Sequence, residues 1–297
     1  MKKIPISIGV MAYNEENNIA FLLESIEKQV LSQTVIREII VISSGSTDRT
    51  NYIIKKFINK NARISLLIQR QREGKASAVN LFLSKAREEI IVLVSADVYL
   101  PKYSLENLIV PFKDHEVGMV GSRPIPTNNK DSLMGYCAHL LYDLQHLVSL
   151  KEPRTGEMIG FRKIFKKIPN TTAVDEASIE PLILGQGYNI VYAPKAVVVT
   201  KGPESLNDYI LRRRRVYAGH LKTKNGYGYE VSTLNGFKII PLIIKQANLS
   251  WQFIIYTPII IFLEVVGRLL GYLDYKFNLK NHTVWTIART TKKLFPG

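Results

Sequence analysis

The sequence is poor in cysteine and in acidic residues. Its 297 residues include a single cysteine, Cys137, so no disulfide can form within the chain, which fits a reducing compartment. Asp and Glu number 25 against 40 Lys and Arg, which gives a formal net charge of +15. This excess of positive charge calls for a partner of opposite sign, and nucleic acid, anionic lipid and phosphate-bearing substrates are the candidates.

The chain also lacks an internal repeat, a low-complexity tract and a long apolar run near its start. The opening MKKIPISIGVMAY has no extended apolar core and no small-residue cleavage site, so we expect it to enter a first strand directly. A content of 46% hydrophobic and 22% charged residues is typical of a globular chain. No recognised nucleic-acid-binding motif is present and the basic residues are dispersed, which disfavours nucleic acid as the partner.

The first two-thirds of the sequence alternate strand-like and helix-like segments. ISIGVMAY, REIIVIS, ISLLIQR and EIIVLVSAD are apolar and rich in β-branched residues, and amphipathic stretches separate them. This alternation predicts parallel βαβ units in a doubly wound α/β sheet. In such sheets ligands bind outside the carboxyl ends of the strands.

Polar residues follow three of these predicted strands at the point where each ends. They are Tyr13-Asn14-Glu15, Ser43-Ser44 and Asp97. A charge such as that of Asp97 is costly to bury unless it is paired or holds a cation, although the plainer alternative is that Asp97 begins a solvated loop. Because parallel strands end at one edge of the sheet, the sequence predicts a single site there.

The composition changes from about Gly226 onward. Residues 251–273 are apolar and long enough for the ~30 Å hydrocarbon core of a bilayer. Pro258 predicts a kink, and Glu264 and Arg268 lie four residues apart on one face. Positive residues stay on the cytoplasmic side, so basic residues on both flanks favour a re-entrant or interfacial hairpin over residues 235–273. A soluble, dimer-forming helical pair is the alternative. The basic flank residues are Lys222, Lys224, Lys238 and Lys245 before the segment and Lys276, Lys280, Arg289, Lys292 and Lys293 after it.

Five segments occur in the order found in one enzyme family. They are VMAYNEENNI, VISSGSTDRT, GKASAVN, VSADV and VDEASIEPLILGQGYNIVYAPKAVV. Over about residues 5–222 the chain resembles the inverting family 2 glycosyltransferases, which have the GT-A nucleotide-sugar fold. The resemblance implies a glycosyltransferase domain over residues 1–225. A membrane-associated helical region with a basic tail would follow over residues 226–297.

The resemblance gives Asp97 a function as the strand-end aspartate near the donor diphosphate. There it would help to hold a divalent cation, Mg²⁺ or Mn²⁺, because a hard cation takes carboxylate and phosphate oxygens together. The first acid of the family motif is replaced here by Ser95. His220 is a further possible ligand of the cation or, alternatively, a structural histidine.

Other donor-side positions of the family also have counterparts here. They are Ala12, Tyr13, Glu15, Ser43, Ser44 and Lys75. Tyr13 and Glu15 should border the base and the ribose of the donor. Ser43 and Ser44 stand where the family has acids that contact the base. Lys75 is compact and cationic, which suits a contact with the diphosphate or the ribose.

The resemblance places the catalytic base in the acidic pair Asp175-Glu176. Glu176 precedes Gly187 by eleven residues, which is the family spacing of the base, and Asp175 is the alternative. A carboxylate is needed to take the proton of an attacking acceptor hydroxyl. Both acids would otherwise stabilise a helix N-terminus. Pro181 disfavours a simple helix that begins at Asp175.

The segment LRRRRVYAGHL stands where processive members carry Q-x-x-R-W. Arg212 and Val216 occupy the Gln and Trp positions, and Arg215 is kept. The missing Trp disfavours a long polysaccharide channel. Planar guanidinium groups match phosphate oxygens, so we expect Arg212 and Arg215, but not all four arginines, to contact the donor.

The sequence thus predicts a glycosyltransferase on the cytoplasmic side of the cell membrane, in contact with anionic lipid. It would transfer a sugar, with inversion, from a nucleoside-diphosphate sugar to a hydroxyl of a lipid, a lipid-linked glycan or a short saccharide. A polyprenyl-phosphate glycosyltransferase is the nearer alternative, although its anionic acceptor would need no base. A non-catalytic relative is a further alternative, because serines replace acids at positions 43, 44 and 95. The donor sugar, the acceptor and the oligomeric state stay open.

Overall fold

A seven-stranded sheet with helices on both faces forms the body of the protein. The computed structural model describes residues 3–153, 156–229, 236–245, 250–284 and 288–295. The strands are β1 (Ile4–Ala12), β2 (Thr34–Ser44), β3 (Ile64–Gln69), β4 (Ile90–Ser95), β5 (Val117–Pro126), β6 (Met158–Arg162) and β7 (Asn189–Thr200). The helices are α1 (Ile19–Glu27), α2 (Thr50–Ile58), α3 (Lys75–Lys85), α4 (Ser104–Ile109), α5 (Leu133–Ser149), α6 (Asp175–Leu184), α7 (Leu206–Tyr227), α8 (Gly236–Lys245) and α9 (Trp251–Phe277).

The strand order is β3-β2-β1-β4-β6-β5-β7. Strands β1 to β4 pair in parallel, as the sequence predicts. β6 is inserted antiparallel between β4 and β5, and β5 pairs in parallel with β7. From β1 the chain winds outward through β2 and β3 and then returns to place β4 on the other side of β1. The carboxyl ends of β1 and β4 therefore flank the switch point where α/β sheets bind ligands.

The core explains why the central strands are apolar on both faces. Ile8, Val10 and Val92 pack into one layer, while Ile91 and Phe82 of α3 belong to the layer on the opposite face. Gly9 of β1 is required by this packing, because a Cβ there would lie 2.6 Å from the ring of Phe82. Continuous apolar runs are typical of parallel strands covered by helices on both sides.

Helix α6 corrects one expectation from the sequence. The prediction that Pro181 disfavours a simple helix from Asp175 is wrong, because α6 begins at Asp175 and continues through Pro181 to Leu184. The carbonyl of Pro181 still accepts a hydrogen bond from the Gly185 N–H, at 2.9 Å. Asp175 and Glu176 therefore lie in the first turn of a helix, where the helix dipole stabilises negative charge.

Helix α9 packs closely along α7. A Cβ at Gly267 would lie 2.7 Å from Cβ of Arg213, so only glycine allows this approach. Ion pairs reinforce the contact: Arg213 Nε lies 2.6 Å from Glu264 Oε1, and Arg214 Nε lies 2.6 Å from Asp274 Oδ2. Glu264 also lies 3.4 Å from Arg268, the predicted pair four residues along the helix.

The opposite face of α9 is apolar and exposed. Ile254, Phe262, Val265 and Leu269 are each more than half exposed. By length and composition α9 is long and apolar enough to cross a membrane. Residues 246–249 of the predicted hairpin and the side chains of Lys238, Lys245 and Arg289 lie outside the described residues. The domain boundary after residue 225 stays a prediction.

The segment after α9 returns to the sheet domain. Its described residues are 278–284 and 288–295. The Leu294 N–H donates to Asn18 Oδ1 at 2.9 Å, and the Phe295 ring packs edge-on against Phe21 and Tyr99. The C-terminal segment therefore crosses the carboxyl end of β1.

The buried pair between α7 and α9 gives a stability prediction. The Asp274 side chain has no solvent exposure and receives two hydrogen bonds of 2.6 Å from Arg214. Arg214→Ala leaves this carboxylate without its main partner, so we expect a loss of about 3–5 kcal/mol in the free energy of unfolding. Denaturant titration in detergent solution measures it. Lys28→Ala breaks an exposed pair with Glu24 and should cost less than about 1 kcal/mol. Equal losses in the two variants would show that the Arg214 pair does not hold α9.

Candidate active site

A cleft of about 900 Å³ opens at the carboxyl ends of β1 and β4. It brings together twelve of the thirteen predicted site residues: Ala12, Tyr13, Glu15, Ser44, Lys75, Ser95, Asp97, Asp175, Glu176, Arg212, Arg215 and His220. The exception is Ser43, whose buried hydroxyl donates to Ser46 Oγ at 2.9 Å. The positions are thus gathered in one place, while the function assigned to each stays a prediction.

Lys75 joins the acidic pair of α6 to the start of α3. It begins α3, directly after Gly74, whose φ of +93° favours glycine. Its Nζ lies 2.9 Å from Asp175 Oδ2 and 3.0 Å from Glu176 Oε1. Although burial opposes it, the charges of the two carboxylates raise the pKa of Lys75 above its usual value. Lys75 is therefore held as a cation between the two acids.

The two acids differ in access and in proton affinity. The Asp175 side chain is 6% exposed and that of Glu176 is 24% exposed. Burial and the charge of Asp175 raise the pKa of Glu176 to about 7, with Lys75 acting in the opposite direction. Glu176 is thus the more accessible acid, and it changes protonation state near neutral pH.

Asp97 is half-buried where β4 ends. Burial and the charge of Glu157 raise its pKa, while Lys292 and Lys75 act to lower it. A cation bound to Asp97 would offset the cost of keeping this carboxylate charged beside Glu157. Within the described part of the chain, no group of three or more His, Cys, Asp or Glu side chains could hold a metal ion by itself. The arrangement fits a cation that Asp97 shares with phosphate oxygens of a substrate. His220 is buried on α7 and lines the same cleft.

Glu157 is a site residue to which the sequence reasoning assigned no function. It precedes β6, and it accepts hydrogen bonds from Arg212 Nη2 at 2.8 Å and from the Tyr142 hydroxyl at 3.0 Å. Burial alone would raise its pKa, but Arg212 and Lys75 lower it below the usual value. No sequence signal places Glu157 beside Asp97, because only the antiparallel insertion of β6 next to β4 does so.

The four consecutive arginines of α7 differ in the acids with which they interact. Arg213 and Arg214 pair with α9, as described above. Arg212 lies in the cleft with Glu157. Burial and the neighbouring Arg212 lower the pKa of Arg215 to about 10, against the effect of Asp175 and the other acids of the cleft. Arg212 and Arg215 are therefore the two arginines whose charges act on the acids of the site.

Two further residues contact the segment that follows β1, and the sequence did not indicate that either belongs to the site. The Arg72 guanidinium stacks over the Tyr13 ring, 4.3 Å from its centre. Lys292 of the C-terminal segment donates to the carbonyl of Tyr13 at 2.8 Å and pairs with Glu15 Oε1. Burial and the charge of Asp97 raise the pKa of Glu15 to about 7. Arg72 is close in sequence to Lys75, but nothing in the sequence connects Lys292 with Glu15.

The far part of the cleft is apolar. Cys137, Leu140 and Leu144 of α5 face Ile243 of α8 and Ile260 of α9. At its outer end the lining includes apolar side chains that are 47–59% exposed, namely Ile240, Ile261 and Val265. The cleft is therefore polar at the sheet and apolar where it reaches the exposed face of α9.

The sheet order, the antiparallel β6 and the crevice at the ends of β1 and β4 are those of a GT-A-type fold. The chain belongs to glycosyl transferase family 2, whose sequence profile matches residues 7–174. The fold class and the family expected from the sequence are thus confirmed.

Curated relatives share a low level of identity with the chain. A poly-beta-1,6-N-acetyl-D-glucosamine synthase of Staphylococcus epidermidis is 23% identical over 290 residues, which are 92% of this chain and 69% of the relative. A dolichyl-phosphate beta-glucosyltransferase of Trichomonas vaginalis is 25% identical over 202 residues, which are 61% of each chain. The matched regions thus leave about a third or more of each relative uncovered.

Solved structures share the fold. A mannosyltransferase of Pyrobaculum calidifontis, in complex with GDP-Man and Mn²⁺, superposes with a TM-score of 0.65 at 18% identity and covers 93% of this chain and 88% of its own. The glucosyl-3-phosphoglycerate synthase of Mycobacterium tuberculosis, in complex with Mn²⁺, UDP and phosphoglyceric acid, gives a TM-score of 0.54 at 19% identity. It covers 74% of this chain and 78% of its own.

Proposed function

We propose that the protein transfers a sugar, with inversion, from a nucleoside-diphosphate sugar to the hydroxyl of a lipid or lipid-linked acceptor. The observation that carries the proposal is the two-part cleft. Its polar part holds Asp97, Lys75 and the acidic pair, and its apolar part runs between α5, α8 and α9 to the surface. A polar reaction centre that continues into an apolar groove suits an acceptor with a reactive head and a hydrocarbon chain.

Glu176 is the proposed catalytic base. It would take the proton of the acceptor hydroxyl while that oxygen forms a bond to the anomeric carbon, on the face opposite the departing nucleoside diphosphate. Its exposure and its pKa near 7 suit this exchange, since a general base works best with a pKa near the operating pH. Asp175 and Lys75 would position the carboxylate.

Asp97 is the proposed protein ligand of a divalent cation, either Mg²⁺ or Mn²⁺. When bound, the cation would neutralise negative charge on the departing diphosphate. Two observations support this: the raised pKa of Asp97 and the Mn²⁺ in the two solved structures described above. Arg212 and Arg215 would add positive charge to the same part of the cleft.

Transfer to a lipid phosphate is a second candidate. The dolichyl-phosphate beta-glucosyltransferase among the relatives favours it, as does the pair Arg212 and Arg215, whose guanidinium groups match phosphate oxygens. A phosphate acceptor is already an anion and would not need Glu176 as a base. The effect of replacing Glu176 therefore separates the two candidates.

The proposed location is the cytoplasmic face of the membrane. The exposed apolar face of α9 would enter the lipid, and the basic residues near it would lie against anionic headgroups. Apolar insertion would dominate, because exposed charges are screened beyond ~8 Å at physiological salt.

Release of nucleoside diphosphate tests the proposed function. The full chain is incubated with Mg²⁺ and a panel of nucleotide sugars, with membrane lipid extract or with soluble saccharides. We expect one donor to be consumed and the lipid extract to stimulate release. Equal stimulation by soluble saccharides alone would contradict the lipid acceptor, and no release with any donor would contradict the transferase itself.

A matched pair of variants tests the apolar part of the cleft. Ile240→Glu places a charge at the outer end of the cleft, on α8 and not on the exposed face of α9, and should lower lipid-stimulated release several-fold. Val30→Glu, at an exposed valine outside the cleft, should leave it unchanged. If both variants behave alike, the apolar groove does not receive the acceptor.

A further inference from the structure

The C-terminal segment brings a lysine to the switch point of the sheet. Lys292 Nζ donates to the carbonyl of Tyr13, just past β1, and pairs with Glu15. Its charge also acts on Asp97 at the end of β4. Lys292 thus lies between the carboxyl ends of the two strands that flank the crevice, where α/β sheets bind their ligands.

The position of Lys292 is fixed from both sides. Before it, Thr290 donates from its N–H and its hydroxyl to Asp208 Oδ2 of α7, at 3.1 and 2.7 Å. After it, Leu294 bonds to Asn18 and is buried. An ammonium group held in place by its neighbours loses little freedom on binding an anion, and such preorganisation favours affinity.

A positive group beside Asp97 would add to the charge that a bound cation supplies. Ser95 is not an acid, so Asp97 is the one carboxylate that the segment VSADV offers to a cation. An ammonium group has three N–H donors, and Lys292 directs two of them to the Tyr13 carbonyl and to Glu15 Oε1. The other oxygen of Glu15 accepts from Asn18 Nδ2 at 2.9 Å. The third N–H of Lys292 can therefore be donated to a bound phosphate.

We infer that Lys292 is a donor-binding residue whose ammonium group contacts the diphosphate of the nucleoside-diphosphate sugar. This inference rests on the proposed function, because it assigns a ligand to the donor side of the same cleft. It makes the C-terminal segment part of the donor site. A lysine that only neutralised the buried Glu15 would affect the stability of the fold and not the affinity for nucleotide.

Nucleotide affinity tests the inference. UDP and GDP are titrated calorimetrically into the full chain in detergent, with Mg²⁺ and again with a chelator. For the nucleotide that binds, Lys292→Met should weaken affinity by about tenfold or more, since a charge-assisted hydrogen bond to phosphate is lost. Lys292→Arg keeps the charge and should stay within about threefold of the wild type. Lys293→Met is the matched control, because the neighbouring side chain is exposed and should not matter.

Chemical labelling of the wild-type chain provides a test that does not depend on how a variant folds. The Lys292 side chain is 24% exposed, so an amine-acylating reagent can reach it. Saturating nucleotide should slow labelling of Lys292, read by mass spectrometry, and leave Lys293 unchanged. An unchanged rate at Lys292 would overturn the inference.

The opposite result would also overturn it. If Lys292→Met binds nucleotide more tightly, and nucleotide speeds labelling of Lys292, the segment occupies the donor site and is displaced by the donor. The proposed function would survive that outcome. If neither nucleotide binds the wild-type chain and no donor is consumed, both the inference and the proposed function fail.

Discussion

Glu176→Gln should lower kcat by roughly 10²–10⁴-fold, which is the usual value of general-base assistance. Affinity for the nucleotide should change little, because the lost interaction belongs to the transition state. Steady-state kinetics and nucleotide titration measure the two effects. The glutamine keeps the shape of the side chain and removes only its ability to take a proton.

Asp175→Asn is the comparison that decides between the two acids. Asp175 is almost fully buried against Lys75, so its loss should disturb the position of Glu176 and cost less than loss of Glu176 itself. If Asp175→Asn has the larger effect on kcat, the base is Asp175. If neither substitution matters, the acceptor is a phosphate.

The same base should govern the pH dependence. A pKa of about 7 means that Glu176 is protonated, and inactive as a base, below that value. We therefore expect kcat to fall as pH drops through about 7. Glu15 also has a pKa of about 7, so Glu15→Gln is the control. If the acidic limb disappears in Glu15→Gln, it does not report on Glu176.

Asp97→Asn should abolish transfer while the protein stays folded. No second acid of the motif is present to replace it, because position 95 is serine. The raised pKa means that the folded state disfavours the charged carboxylate, so the neutral asparagine should not lower the melting temperature. Loss of activity can then be assigned to the site. Excess Mn²⁺ should restore activity at most in part, and full activity of the variant in a chelator would contradict the metal assignment.

The sequence predicted the part of the site that depends on local pattern. β1 to β4 are apolar because helices cover both faces, and the rule that parallel strands end at one edge gathers Tyr13, Ser44 and Asp97. Their shared cleft follows from that rule and needs no knowledge of the rest of the chain.

The remaining site residues depend on contacts between distant parts of the chain. Glu157 reaches Asp97 only because β6 runs against its neighbours, and antiparallel insertion has no local signature. Lys292 and Glu15 are separated by 277 residues. Helix α6 shows the limit of a local rule, since Pro181 costs a single backbone hydrogen bond and the packing around α6 tolerates it.

Helix α7 has a practical consequence for preparing a soluble form of the enzyme. Successive helical residues point about 100° apart, so Arg212 and Arg215 share one face and the two arginines between them point elsewhere. Deleting α9 would remove Glu264 and Asp274, which pair with Arg213 and Arg214. Helix α7, which also carries Arg212 and Arg215, would lose this support. A better route replaces the exposed Ile254, Phe262 and Leu269 by polar residues and keeps Glu264 and Asp274. Such a chain would lose the exposed apolar surface of α9 and keep the ion pairs that hold α7 in place.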